Sequence, residues 1–110
     1  MKTVLIGTVS RWELAKQLMK QLKDEDIRVI ALPEEAMHER RILRAAVMWS
    51  FQSDLFVGLW DEDTVIEGEQ APFLRKLAAS DEKPILDIFP QEDPEEAGHI
   101  LDVIRKALKK

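Results

Sequence analysis

Cysteine, tyrosine and asparagine are all missing from the 110 residues of this chain. Without cysteine there is no disulfide, no thiolate zinc site and no cysteine nucleophile. The joint absence of asparagine and tyrosine, both ordinary in a domain of this length, points to a biased composition such as a thermophilic or designed chain carries. Long apolar runs are missing as well: none approaches the roughly 18 residues a membrane span needs. At the N-terminus Val4-Leu5-Ile6 is cut short by Gly7, which does not support a secretory signal, so a cytoplasmic location and no membrane partner are expected. Positive charge is also in short supply. With 21 acidic against 16 basic residues the net charge is −5, and the basic residues are dispersed, which argues against duplex nucleic acid as a partner. The basic tail Arg105, Lys106, Lys109 and Lys110 suits the carbonyl end of a helix. His38 and His99 lack metal-ligand spacing, so solvent-facing positions and no cofactor are expected, magnesium on Asp61 and Asp63 staying open as an alternative.

What is present is globular. Hydrophobic residues make up 45% and charged residues 34%, and the length fits one domain, residues 1–110, able to bury ~65% of its unfolded surface. Two hydrophobic textures alternate. Thr3-Val4-Leu5-Ile6 reads as a buried strand, and Ser10 with Glu13 forms a capping box that opens a helix carrying Trp12, Ala15, Leu18, Met19 and Leu22 at helical spacing. Residues 27–32 form a second strand, after which Pro33, Glu34 and Glu35 signal the start of a helix continuing to Phe51, with Ile42, Ala45, Ala46 and Trp49 on its inner face. Residues 55–60 are apolar on both faces, as a central parallel strand requires. Pro72 belongs to the first turn of a helix from near Gln70 to Ala79. Residues 84–89 form a fourth strand whose Asp87 suits an edge position. Asp93, Pro94, Glu95 and Glu96 then open a last helix with Ala97, Ile100, Leu101, Ile104 and Leu108 as its buried stripe.

Four strand and helix units predict a single doubly wound α/β domain of the flavodoxin-like or Rossmann-like kind: a four-stranded parallel sheet, order 2-1-3-4, with helices on both faces. In that order the switch point lies between strands one and three, so the loop from Gly7 to Trp12 and the loop after Trp60 face one crevice. Gly7 would let the chain turn tightly, while Thr8, Ser10, Arg11 and the following helix N-terminus could receive an anion. The pattern is neither a P-loop nor a dinucleotide fingerprint. Across the crevice Asp61, Glu62, Asp63, Glu67 and Glu69 crowd into nine residues, and no lysine, arginine or histidine falls between Arg44 and Arg75. Ile66 stands where a calcium loop needs glycine, and Gly7 and Thr8 stand where a phosphorylated receiver domain needs an acidic pair. Trp12 and Trp60 flank the crevice and could stack on a base, although their helical or strand spacing favours core packing.

Read onward, Asp61-Glu62-Asp63-Thr64-Val65-Ile66-Glu67-Gly68-Glu69-Gln70-Ala71 resembles the motif D-x-G-T-x-x-E-x-G-x-A of the nucleoside 2-deoxyribosyltransferase-like family. Asp61, Thr64, Glu67 and Ala71 fall in register, Asp63 and Glu69 stand at the glycine positions, and Ser53-Asp54-Leu55 and Lys83-Pro84-Ile85 resemble the family's flanking segments. The resemblance implies cleavage or transfer at the N-glycosidic bond of a nucleoside or nucleotide. Glu67 would be the carboxylate nucleophile, Asp61 would orient sugar or base, Thr64 and Trp60 would contact substrate, and Arg11 would hold a 5′-phosphate. An oxocarbenium-like state beside a carboxylate gives that chemistry its logic. Two other classes compete: a non-catalytic, engineered α/β scaffold, and a signalling or nucleotide-binding module of the TIR-like kind. A homo-oligomer is compatible with each.

Overall fold

A computed structural model of the chain describes residues 1–91 and 95–109. Eight principal elements alternate: β1 (Lys2–Thr8), α1 (Trp12–Leu22), β2 (Ile27–Pro33), α2 (Arg40–Gln52), β3 (Leu55–Leu59), α3 (Phe73–Ser80), β4 (Ile85–Ile88) and α4 (Glu96–Leu108). The four strands form one parallel sheet in the order β2-β1-β3-β4, the expected order. Period-two alternation along the central strands divides the core in two. Val4 and Ile6 of β1 and Leu55, Val57 and Leu59 of β3 pack with Ala15, Leu18 and Leu22 of α1 and Ile100, Leu101 and Ile104 of α4. Leu5 and Phe56 point the other way, onto Ala46 of α2 and Leu74 and Ala78 of α3. Helices therefore cover both faces, and β1 and β3 are buried throughout apart from Lys2.

Several local expectations are corrected. Gly7 does not end β1 in a turn; it lies within the strand, where a Cβ would come 2.9 Å from the Phe56 ring and 3.0 Å from Leu74, so its role is close packing. The residue in the left-handed region is Ser10, at φ 59°. From there its hydroxyl does not cap α1; Thr8 Oγ1 accepts the Arg11 amide at 3.1 Å instead, and Glu13 pairs with Lys16 at 3.0 Å. Pro33 does not open α2. It is extended (φ −82°, ψ 134°), pairs with Thr8 as the last residue of β2, and leads into a single 3-10 turn, Glu34–Ala36, before α2 begins at Arg40. The third helix starts at Phe73 rather than near Gln70, with Pro72 as its N-cap. Strand β4 is an edge as expected, but Asp87 faces protein partners there. Of the expected cap before α4, Asp93 and Pro94 lie outside the described residues, and Glu96 is the first residue of that helix. His38 and His99 are exposed, in keeping with the sequence reading.

Candidate functional site

Strands β1 and β3 end side by side and then diverge onto opposite faces of the sheet. The Val9 amide still donates to Leu59 O (3.0 Å), and the Trp60 amide to Ile88 O (2.9 Å), so the loop roots are fixed by the sheet ladder. Above them lies a crevice of about 680 Å³ lined by Ser10 and Arg11, by Asp61, Glu62 and Asp63, and by Phe89, Pro90 and Gln91. A hollow of about 490 Å³ adjoins it, sharing Ser10, Arg11, Pro90 and Gln91 and adding Trp12, Glu13, Leu14 and Glu96. The two loops expected to share the switch-point crevice thus do share it.

Its electrostatics are unusual in one respect. Arg11 is half-buried, its Nε is buried without a hydrogen-bond partner, and no ion pair joins it to Asp61, Glu62 or Asp63 among the described residues. A guanidinium and three carboxylates therefore line one polar crevice without neutralising each other by contact. Asp61 is instead tied into its own loop: Oδ1 accepts the Asp63 amide at 3.1 Å and the Thr64 hydroxyl at 2.8 Å, and its carbonyl accepts the Thr64 amide at 3.1 Å. This is an Asx turn, and it accounts for an aspartate and a threonine three apart on local grounds. A second turn follows, where Gly68 takes φ 77° and its carbonyl accepts the Ala71 amide at 3.3 Å. The loop's left-handed glycine is therefore one position before Glu69.

The remaining expected site residues are dispersed. Glu67 is exposed on the outer side of the loop and lines neither the crevice nor the adjoining hollow. Thr8 is buried beneath the loop, with its hydroxyl occupied by the Arg11 amide, and Gly7 is buried in β1. Trp12 is 37% exposed and lines the adjoining hollow with Arg11. Trp60 is fully buried, which corrects its assignment as a stacking residue: the indole packs on Phe56, with centroids 6.1 Å apart, and occupies the space a Cβ on Gly58 would need. Its Nε1 donates to Asp87 Oδ1 at 2.8 Å, since a buried indole N–H needs an acceptor. Asp87 also receives Arg75 Nε at 2.9 Å and Nη2 at 2.7 Å, a bidentate pair. Burial alone would push the Asp87 carboxyl up, but the hydrogen bonds from Arg75 and Trp60 and the charge of Arg75 outweigh it and hold the group below the usual aspartate range. The same bonds raise Arg75, to which Glu67 adds a weaker pull from a distance.

On the far side of the acidic loop a hollow of about 430 Å³ is lined by Val9, Glu34, Asp61, Asp63, Thr64 and Pro72, among others. Glu34 accepts the Phe73 amide at 2.5 Å and the Leu74 amide at 3.3 Å, so the carboxylate that caps α3 comes from the end of β2. Burial pushes its pKa up, only partly offset by those two amides.

Sequence reasoning missed Glu34, Asp87 and the Phe89 to Gln91 wall. The last was detectable, because residues after β4 open on the same edge of the sheet as those after β1 and β3. Among the described residues, no group of three or more histidine, aspartate or glutamate side chains is placed to hold a metal ion. Compared with known families and curated proteins, the chain matches no family model and no curated protein.

Proposed function

We propose that the protein binds a small phosphorylated sugar derivative, a nucleoside phosphate above all, in the switch-point crevice. The observation that carries this reading is Arg11, a half-buried guanidinium with an unpartnered Nε on the wall opposite three carboxylates it does not touch. A ligand with an anionic end and vicinal hydroxyls would complement both walls. Phosphate would meet Arg11 and Ser10 at the head of α1, and ribose hydroxyls would donate to Asp61 or Asp63, as an acidic residue receives ribose in dinucleotide-binding folds. Trp12 in the adjoining hollow and Phe89 in the crevice, 37% and 42% exposed, offer apolar surface for a base.

Cleavage of the N-glycosidic bond is the catalytic extension of this reading. The register of Asp61, Thr64, Glu67 and Ala71 with a nucleoside-processing motif favours it; the exposed place of Glu67, outside the crevice, weighs against Glu67 as the nucleophile and leaves Asp61 as the motif acid that lines the crevice. The test has two parts. In a thermal-shift screen across nucleosides and their mono- and diphosphates, a ligand that binds only the native state raises the melting temperature. The phosphorylated members should raise it more than the nucleosides, and Arg11→Gln should erase that margin. Release of free base is then followed for wild type, Glu67→Gln and Asp61→Asn. Release abolished by either substitution supports catalysis; binding without release leaves a nucleotide-binding module. No shift with any compound removes the proposed function altogether.

A further inference from the structure

Apart from Lys83 over the Phe51 ring, the outer face of α2 carries charge and apolar surface with no contact among the described residues that accounts for it. Arg40, Arg44, Val47 and Phe51 recur at intervals of four, three and four residues, which is the spacing of a helix-to-helix seam, and Met48 lies beside them. Val47 is 50%, Met48 45% and Phe51 72% exposed, although the neighbouring side of the same helix buries Ala46 and Ser50 in the core. Arg40, Arg41 and Arg44 are exposed and have no ion pair among the described residues. Two of them occupy the first turn of α2, the positive end of the helix dipole, where cations are unfavourable and where the turn itself holds no acid. Between Arg40 and Gln52 the helix has no carboxylate at all, in a chain whose net charge is −5. A local rule broken on an exposed apolar stripe calls for a partner.

The charges at the two ends of α2 identify that partner. Beyond the C-terminal end of the helix lie Asp54, Asp81 and Glu82, with Ser50 Oγ donating to Asp81 Oδ2 at 2.8 Å and Lys83 placed 5.8 Å over the Phe51 ring. One end of the stripe is thus rich in arginine with Glu39 as its nearest acid, and the other is rich in acid with Lys83 as its cation. Such a surface complements itself when inverted. We infer that α2 is the contact surface of a symmetric homodimer in which two copies of this helix pack antiparallel, crossing near Val47 and Met48. In that arrangement the apolar residues meet at the two-fold axis, Arg44 lies over the partner's Phe51, and Arg40 and Arg41 approach the partner's Asp54. An isologous pairing closes on itself, and the opposed helix dipoles favour it.

Sedimentation velocity over a concentration series tests the pairing. Wild type should pass from monomer to dimer, with the transition weakened by added salt. Met48→Glu should shift the dissociation constant upward by at least about tenfold, which corresponds to ~1.4 kcal/mol. An unchanged melting temperature of the dilute protein and an unchanged circular dichroism spectrum would separate lost contact from lost folding. The register is tested by mixing. Phe51→Lys opposes Arg44 in its own homodimer, whereas Arg44→Glu combined with Phe51→Lys places opposite charges together at one end and keeps the native contact at the other. The mixture should dimerise more strongly than Phe51→Lys alone. A wild type that stays monomeric throughout overturns the proposal, as does a dimer untouched by Met48→Glu or a mixture with no preference for the mixed pair. A monomer that binds anionic vesicles or an acidic helical peptide through these arginines equally overturns it.

Discussion

Two acidic groups stand within one loop length of each other at the ends of β3 and β4, and they are treated in opposite ways. Asp87 is enclosed: Arg75 grips it with both arms and the Trp60 indole donates to the same carboxylate. Asp61, Glu62 and Asp63 line an open crevice, facing an arginine they do not touch. An acid whose acceptor capacity is used by protein donors is explained by folding, whereas opposite charges left facing each other across a cavity are available to a ligand. This contrast, rather than the density of acids in the sequence, separates support from site.

The contrast can be broken first on its enclosed side. Gly58→Ala forces a methyl group into the space of the Trp60 indole and should cost about 3 kcal/mol, because neither the strand nor the buried ring can move aside. Chemical denaturation will measure it. Asp87→Ala should follow, at about 2 to 3 kcal/mol, since it leaves the Arg75 guanidinium and the Trp60 N–H without their acceptor; Asp87→Asn, which retains one carbonyl for Trp60, should cost less. Because the Asp87 carboxyl is held below its ordinary value, its contribution is complete above the unfolded aspartate range, near pH ~4, and is lost as the pH falls through the depressed value.

Glu34 sharpens the comparison from the other direction. Glu34→Ala should cost about 1 to 2 kcal/mol, because the first amides of α3 lose their acceptor. Burial raises this carboxyl, so its ionisation opposes folding: the favourable contribution exists below the unfolded glutamate value, near pH ~4.3, and declines as the pH rises through the raised one. Glu34→Gln should therefore gain on wild type as the pH is raised from about 4 to 7, the reverse of the trend for Asp87. Denaturant midpoints from about pH 4 to 7 for Glu34→Gln, and from about pH 4 downward for Asp87→Asn, each against wild type, will show whether the two slopes have opposite signs. The smallest stability effect belongs to the open side. Arg11→Gln removes a charge that has no ion pair among the described residues and should change stability by under about 0.5 kcal/mol.

Much of this arrangement was legible in the chain, and the illegible part has a consistent cause. The buried strands, the helical stripes and the sheet order follow from period-two and period-3.6 patterns joined by right-handed crossovers, and the order alone brought Arg11 and Asp61 to one crevice. Local signals misled where another residue took the role they suggested. Ser10 and Glu13 have the spacing of a cap, but Ser10 sits in the left-handed region and caps nothing, while Thr8 takes the Arg11 amide. Pro33, Glu34 and Glu35 have the composition of a helix start, yet Glu34 caps α3, 39 residues further on. Asp87 reads as an edge-strand charge until Arg75 and Trp60 are brought to it. Trp60 adjoins the acidic loop in sequence, but as the last residue of a run apolar on both faces it turns inward onto Gly58 and Phe56.

The central claim is that ligand binds between the Ser10 to Trp12 loop and the Asp61 to Asp63 loop. Amide chemical-shift mapping during titration with a nucleoside monophosphate tests it most directly. Perturbations concentrated at Ser10, Arg11, Trp12, Asp61 to Thr64 and Gln91, and abolished in Arg11→Gln, are the predicted result; perturbations centred on any other surface, or a pattern that survives Arg11→Gln unchanged, would contradict it.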